Sequence, residues 1–394
     1  MRIEDTITNP VPSAMVRRLD SPGLALSRAL ADAGVPVNAL EQDMSLPGVR
    51  SNRVRRVFQV QSFQSEHLSP ALLASRQALA SHAKIALLAI NDRHVAKIGA
   101  YLHDLLPAYC IACAEKARHL VTLRNKIALQ AVCEQQGLLY PRSVTFDEVQ
   151  DHTRATDLRY PLILKPARAR SSFKTLMAKD AQALRAHLEA GHHSLPILCQ
   201  EYVPVDDRQI YFGALILDHG RVVGALAGRR LASHPPARGQ TTISVTVEAP
   251  EVLRLTEQFF AGLARSGPVS LELKRDPTGW YWFIEPTAGR TDFWAELCIS
   301  AGFNQHLAEF ELAVGGDPQP PTKLLEAIWN DTERDPRAYF SQCWSQLRLQ
   351  PAGRRKALPY FGHADAIRLA RSVWRVTPGP RTALAPGWRA SNGN

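Results

Sequence analysis

Two glutamates, Glu272 and Glu285, lie in two apolar segments, Val269–Arg275 and Trp280–Pro286, joined by Asp276-Pro277-Thr278-Gly279. That tetrapeptide is a strong turn signal, so the spacing predicts a hairpin. Pairing Arg275 with Trp280 sets Glu272 opposite Phe283 and Glu285 opposite Ser270. The two carboxylates are then diagonal neighbours on one sheet face, about 7–8 Å apart, and Thr287, two residues on, shares that face. Like charges gathered on an apolar hairpin are costly unless a cation neutralises them. An oxygen-only set of this kind suits Mg²⁺, with a phosphate completing the octahedron. The same spacing is equally compatible with an amphipathic hairpin whose glutamates face solvent.

Further chemistry-bearing residues precede the hairpin. Lys165 ends the apolar run Leu162–Lys165, and Lys126 opens an amphipathic segment over Asn125–Gln135. Either lysine could hold a phosphate as a point charge, although a lysine in such a position is more often a surface residue. Cys199-Gln200-Glu201-Tyr202-Val203-Pro204 sets polar and apolar residues at a strand end, where a backbone edge could read a heterocyclic base. Neither glycine-rich phosphate signature, G-x-G-x-x-G after a strand or G-x-x-x-x-G-K-[ST], occurs in the chain. Cys110-x-x-Cys113 is the one metal-like or redox-like spacing among six cysteines. Without a second such pair or a strand–motif–helix setting, it argues against a zinc or thioredoxin site. His192-His193 beside Gly191 reads as a solvated helix end.

The elements that must position these residues follow from periodicity. Up to about residue 110, strands (Val35–Leu40, Val54–Val60, Ile85–Ile90) alternate with helices, the first opened by Ser21-Pro22 and stopped by Gly34. This is the grammar of a small doubly wound parallel sheet. From Val121 the pattern becomes α+β. A helix ends at Gly137, and another is capped by Asp180 and ended by Gly191. Ile197–Val203 is a strand, Asp218-His219-Gly220 turns a hairpin, and Pro250 opens a helix with Val252, Leu255, Phe259 and Leu263 on one face. From Asp317 onward the reading is helical fragments followed by a tail.

Composition bounds the function classes. Hydrophobic content of 45% and charged content of 21% are ordinary for globular chains. No apolar run reaches the roughly 18–20 residues of a membrane span. The opening MRIEDTITNP lacks the apolar core of a secretory signal, so a cytoplasmic location is expected. The net charge of +10 invites a nucleic-acid reading, but residues 341–394 hold nine Lys/Arg against the single acid Asp365. The rest of the chain is nearly neutral, so nucleic acid is not an expected partner. Residues 376–394 are rich in Pro and Gly and read as a disordered basic tail.

The order Lys126, Lys165, Gln200–Val203, Asp207, Glu272, Glu285 resembles that of the ATP-grasp superfamily, specifically its carboxylate–amine ligases. The nearest resemblance is to the ligase-like proteins encoded with bacterial exopolysaccharide and exosortase systems, and more distantly to D-aspartate ligase. It spans roughly Leu19–Gly316 and is most specific over VSLELKRDPTGWYWFIEPTAGRTDFWAELCISAGFN. The fold expected is therefore α/β and α+β. An N-terminal doubly wound (pre-ATP-grasp) domain over 1–115 precedes a two-lobed ATP-grasp domain over 116–316, its lobes 116–195 and 196–316. A short helical C-terminal region over 317–375 follows.

The resemblance also implies roles. Lys126 and Lys165 grip the ATP phosphates. Gln200 reads the adenine amino group, Glu201 and Val203 present backbone groups to the ring, and Asp207 binds the ribose. Glu272 and Glu285 bridge Mg²⁺, for which Mn²⁺ is a possible substitute, and Thr287 stands where the family has asparagine. Arg290 stabilises the acyl phosphate, one place later than usual, and Arg229 and Arg230 lie near the phosphates. The stretch 167–174, often glycine-rich in the family, carries arginines and serines and no glycine. The implied activity is ATP-dependent joining of a small carboxylate to an amine or thiol through an acyl phosphate. Two rival readings stay open: an ATP-binding pseudoenzyme or regulator, and a nucleic-acid binder using its basic tail. Because residues 376–394 lie outside the resemblance, their removal is expected to leave ATP affinity unchanged in isothermal titration. Lost affinity in a truncated protein that still folds would place the tail in the site.

Overall fold

The computed structural model describes residues 11–79, 83–114, 125–166, 175–190, 195–236, 239–262, 265–292, 294–332, 334–338 and 355–357. The expected strand–helix alternation appears as β1 (Ser13–Arg17), α1 (Ser21–Asp32), β2 (Val37–Glu41), β3 (Arg56–Gln59), α2 (Ser65–Ala78), β4 (Ile85–Leu88), α3 (Asp92–Ala100) and α4 (Leu102–Leu105). The four strands form a parallel sheet in the order β3-β2-β1-β4. Asp20 caps α1 by accepting from the Gly23 N–H, and Pro22 sits in the first turn, where its missing N–H removes no helical bond. Strands β1 and β4 are buried along nearly their whole length, as parallel strands between helix layers must be. Met15, Leu40 and Leu87 pack on Leu68 and Leu72 of α2 and Val95 of α3. On the other face Val16, Ala86 and Leu88 meet Leu26 and Leu30 of α1.

Helix α5 (Lys126–Gln135) precedes the second sheet, made of β5 (Ser143–Phe146), β6 (Leu162–Pro166), β7 (Leu176–Ala178) and β8 (Ile197–Glu201), with α6 (Ala181–Glu189) before β8. This sheet is antiparallel, ordered β5-β8-β6-β7. Leu162 and Leu164 enter its core beside Phe146, Leu184 and Leu188. Strand alternation then sends Ile163 and Lys165 to the opposite face.

The rest of the chain builds a seven-stranded sheet: β9 (Ile210–Asp218), β10 (Arg221–His234), β11 (Gln240–Thr246), β12 (Gly267–Arg275), β13 (Tyr281–Ala288), β14 (Ala327–Asn330) and β15 (Arg355–Ala357). Its order is β13-β12-β9-β10-β11-β14-β15. The β9–β10 turn sets both His219 and Gly220 at positive φ, the conformation a tight hairpin needs. Three helices cover this sheet: α7 (Pro250–Phe260), α8 (Ala295–Ser300) and α9 (Gln305–Val314). Val252 and Phe259 of α7 pack on Leu271, Leu273 and Phe283. Leu297 and Cys298 of α8 and Ala308 of α9 pack on Phe212, Ala214 and Ile216. Helix α9 also reaches the first sheet, where Phe310 joins its core and the Val314 carbonyl accepts from Lys84 Nζ at 2.6 Å.

Some expectations need correction or fall outside the description. Among the described residues beyond 317, expected as helical fragments, two stretches are strands, β14 and β15, that extend the large sheet. Cys110 and Cys113 are free thiols, and burial pushes the Cys113 thiol up to about 11, which suppresses the thiolate needed for redox or metal chemistry. Residues 167–174, His192-His193 and 376–394 lie outside the described residues. Among those described, no helix is long and apolar enough to cross a membrane.

At Gly213, β9 runs close against α7. A Cβ there would collide with the Thr256 hydroxyl and come within 3.2 Å of the Val252 carbonyl, and that hydroxyl is itself bonded to the same carbonyl at 2.7 Å. Gly213→Ala is therefore expected to destabilise the protein by about 1–3 kcal/mol, as overpacking does. The check is a lowered urea midpoint with an unchanged slope.

Candidate functional site

The β12–β13 hairpin departs from the expected register. Arg275 pairs with Tyr281 rather than Trp280, which makes the turn one residue longer. The Asp276 carboxylate closes that turn by accepting from the N–H groups of Thr278 and Trp280 and from the Trp282 indole. Beyond the Leu273–Phe283 pair the register slips again, so that Glu272 lies directly opposite Glu285 and Ser270 opposite Thr287. The surplus residue in β13 is Ile284, a β-bulge. Tyr281 and Phe283 pack under α7, whereas Glu285 and Thr287 emerge on the other face with Glu272. The two glutamates are thus direct cross-strand neighbours and not diagonal ones.

This face forms one wall of a cleft of about 390 Å³; the other wall is the face of the second sheet opposite its core, with Ile163, Lys165 and Gln200. Lys126, at the start of α5, also lines it, and its Nζ stands 4.0 Å from the Glu285 carboxylate. Lys165 Nζ donates to Gln200 Oε1 at 2.8 Å, and Gln200 Nε2 donates to Ser143 Oγ at 3.0 Å. Gln200 is 3% exposed, so its amide is locked in this orientation. Burial, with Lys126 adding to it, brings the Lys165 ammonium down to about 8.

On the opposite wall, burial raises the Glu272 carboxyl above its usual range against the pull of Arg230, and Asp292 and Glu285 raise it further. Arg230 is held by three groups. Its Nε donates to Thr241 Oγ1 at 2.7 Å, Nη2 lies 3.3 Å from Glu272 Oε1, and Nη1 lies 3.5 Å from Asp207 Oδ1. Asp207 accepts from the Ser233 hydroxyl as well and stands behind Arg230, outside the cleft lining. The Glu201 carboxylate is taken up by the Arg159 N–H and the Arg142 and Arg159 guanidinium groups. The Val203 carbonyl accepts from Lys274 Nζ at 3.0 Å. Arg290 ties the cleft to the start of α3, with Nε 2.6 Å from Asp92 and Nη1 2.9 Å from Asp292. Burial opposes its charge, yet Asp292 and Asp92 outweigh that and raise the guanidinium above its ordinary value. Asp292 also accepts from Thr287 Oγ1 at 3.3 Å.

Of the expected site residues, Lys126, Lys165, Gln200, Glu201, Val203, Arg230, Glu272, Glu285, Thr287 and Arg290 line one cleft, and Asp207 does not. Sequence reasoning passed over Lys274, Asp92, Asp292 and Thr241. Lys274 could have been found, since it follows Glu272 by two residues and must share its face. Burial, with Arg230 adding to it, lowers Lys274 to about 8, and its ammonium lies 4.3 Å from the Tyr202 ring centroid.

No protein-family model matches the chain, and no curated protein sequence does. Solved structures are similar. N5-carboxyaminoimidazole synthetase from Staphylococcus aureus aligns over 87% of this chain and 87% of its own, with a TM-score of 0.64 at 13% identity. The biotin carboxylase domain of Hydrogenobacter thermophilus 2-oxoglutarate carboxylase, in complex with MgADP, ADP and bicarbonate, aligns over 80% of this chain and 73% of its own, with a TM-score of 0.63 at 13% identity. L-amino acid ligase from Bacillus licheniformis aligns over 78% and 75%, with a TM-score of 0.57 at 16% identity. At these identities the likeness is one of fold: a parallel sheet followed by two further sheets that enclose a cleft.

The lowered lysines carry a pH signature. Between about 8 and the unfolded lysine value near 10.4, the unfolded chain binds more protons at Lys165 than the folded one. Stability of the unliganded protein therefore gains from this group as pH rises through that window. A bound polyanion reverses the balance by restoring the ammonium. Titration with inorganic tripolyphosphate near pH 8 is expected to show net proton uptake, measured by calorimetry in buffers of different ionisation enthalpy. Lys165→Met should remove part of that uptake.

Proposed function

We propose that the protein is an ATP-dependent ligase that joins a carboxylate to an amine through an acyl phosphate, in the presence of Mg²⁺. The observation that carries this reading is the charge arrangement across the 390 Å³ cleft. Two lysines near each other on one side face two directly paired glutamates on the other. Each pair repels itself, and both are relieved by a ligand that is anionic and brings a divalent cation. A nucleoside triphosphate with its metal has that composition.

The donor set fits Mg²⁺ or Mn²⁺, being oxygen only: the Glu272 and Glu285 carboxylates and the Thr287 hydroxyl. Among the described residues no group of three or more His, Cys, Asp or Glu could hold a metal ion alone. That suits an ion bound by one or two carboxylates and completed by phosphates and waters. When bound, it supplies neutralisation of the charge gathering on the transferring phosphoryl group.

The chain's own residues divide the remaining work. Lys126 and Lys165 hold phosphate oxygens, and Gln200 and the Glu201–Val203 main chain meet the adenine. Arg230, fixed by Thr241 and Asp207, keeps a positive charge beside Glu272. Arg290 lies at the far end, where the acyl phosphate forms. The substrate carboxylate attacks the γ-phosphorus and ADP leaves. The amine then displaces phosphate from the carbonyl carbon. Activation is required because a free carboxylate is a poor electrophile at neutral pH. The similar structures support this reading, since one was solved with MgADP and bicarbonate and another is an L-amino acid ligase. Small-molecule substrates and a cytoplasmic setting go with it, and the stretch from Val269 to Asn304 inclines it toward the exopolysaccharide-associated ligase-like group.

The test is ADP release with pooled carboxylates and amines, which a nucleotide-binding regulator would not show. A second measurement isolates the metal. ATP is expected to raise the melting temperature of the wild type in a Mg²⁺-dependent way, and Glu285→Gln and Glu272→Gln to lose that dependence. Glu285→Gln is the cleaner variant, because Glu285 is about half exposed whereas Glu272 holds Arg230. Equal metal dependence in all three proteins would remove the magnesium site.

A further inference from the structure

Arg290 and Asp292 line two spaces at once. Behind them, away from the β12–β13 hairpin, lies a second cavity of about 540 Å³, within the range of small-molecule sites. The N-terminal domain supplies one side, with Ser21 at the start of α1 and Asn91 after β4. Glu296 of α8, His306 of α9 and Trp329 of β14 supply the other.

Charge in this cavity is satisfied with one exception. Arg18 meets Asp20 at 2.8 Å, Arg290 meets Asp292 at 2.9 Å, and Arg334 meets Asp331 at 3.8 Å. Glu296 forms no ion pair among the described residues; its Oε2 accepts from Trp329 Nε1 at 2.9 Å, which leaves Oε1 to accept from a ligand. Burial raises this carboxyl to about 7. The Trp329 hydrogen bond and Arg28 on α1 work against the rise, and Asp331 adds to it. His306, 2% exposed, stands in the same wall with Nδ1 3.3 Å from Thr291 Oγ1. Its Nε2 has no hydrogen-bond partner among the described residues, and burial lowers the imidazole to about 3, so the ring is neutral. The acids of this lining outnumber its arginines by one, and that one is Glu296. A cation therefore fits where a second anion would not.

We propose that this cavity holds the amine substrate in its ammonium form, and that Glu296 accepts the proton that must leave before the nitrogen can attack. The proposal rests on the ligase reading. The N–H bond breaks toward the Glu296 carboxylate, which becomes a carboxylic acid, and the nitrogen keeps the electron pair. That pair forms the C–N bond as the bond between the carbonyl carbon and the phosphate oxygen breaks. Phosphate departs with the nitrogen's second proton. Arg290, on the border of both spaces, stands where the acyl phosphate of one meets the nitrogen of the other. A carboxyl that titrates near neutrality is matched to this transfer.

Hydroxylamine separates the steps, because it is already unprotonated at neutral pH and needs no base to attack an acyl phosphate. The full chain is incubated with ATP, Mg²⁺ and a pool of amino, hydroxy and dicarboxylic acids, with either hydroxylamine or a pool of alkylamines and amino acids as the nucleophile. Glu296→Gln, which can keep the Trp329 hydrogen bond, is expected to form hydroxamate at the wild-type rate and to lose amide formation by roughly 100-fold or more. Wild-type amide formation should fall as pH drops through about 7, while hydroxamate formation does not follow that fall. Three results would overturn the assignment of Glu296: wild-type amide formation by the variant, equal loss of hydroxamate and amide, or hydroxamate without amide from the wild type. No hydroxamate from the wild type would instead overturn the ligase reading itself.

Discussion

Glu272 and Glu285 face each other only because β13 carries one residue more than β12 at Ile284; without that slip, the alternation that buries Tyr281 and Phe283 under α7 would bury Glu285 with them. A single change of face thus divides β13 into an apolar half that holds α7 and a polar half that lines the cleft. Holding the two carboxylates together costs electrostatic energy, and the surrounding sheet bears that cost through long, well-paired strands. The bulge lies in β13, the edge strand of the sheet; β12 behind it is hydrogen-bonded on both sides, to β13 and β9, and next to the bulge the Phe283 N–H donates outward to the Leu139 carbonyl at 2.8 Å.

Arginines complete the arrangement without filling it. Arg230 is clamped between Asp207, Thr241 and Glu272, and Arg290 between Asp92 and Asp292. Both are therefore oriented before any ligand arrives, which is how a charged site avoids reorganising at the moment of reaction. The lysines differ. Lys165 leans on a neutral amide and Lys274 on a backbone carbonyl, so each keeps its charge only weakly and gains most from an anionic neighbour.

Much of the fold was legible because its signals are local. The Ser21-Pro22 start, the Asp218-His219-Gly220 turn and the apolar runs of β2, β4, β6 and β8 depend on residues within a few positions of one another. Strands β1, β5, β7, β14 and β15 carry no such signal, since three to five residues become strands only when partners from elsewhere cover them, and the Thr/Ser-rich β11 was passed over as well. The hairpin itself was legible, but its register was not, because a bulge adds a residue without a turn signal. The clustering of Lys126, Lys165, Gln200 and the glutamates came from their order along the chain. The contact between Arg290 and Asp92 spans 198 positions, beyond any spacing rule. Glu296 carried no signal at all, for its character comes from burial beside Trp329 and Asp331.

Helix α9 has a consequence for the way the chain comes off the ribosome. Phe310, with Leu307, Ala313 and Val314 against the same cluster, closes the face of the first sheet that α1 leaves partly open. Those residues are made some two hundred positions after β4. Until then the nascent N-terminal unit presents Val16, Ala86, Leu88 and Ile90 behind a single helix, an apolar surface that invites chaperones or other copies of itself. A helix packed on the large sheet thus completes the core of the first-made domain. A cut near residue 115, the natural place to divide the two on paper, would leave both halves with an uncovered side.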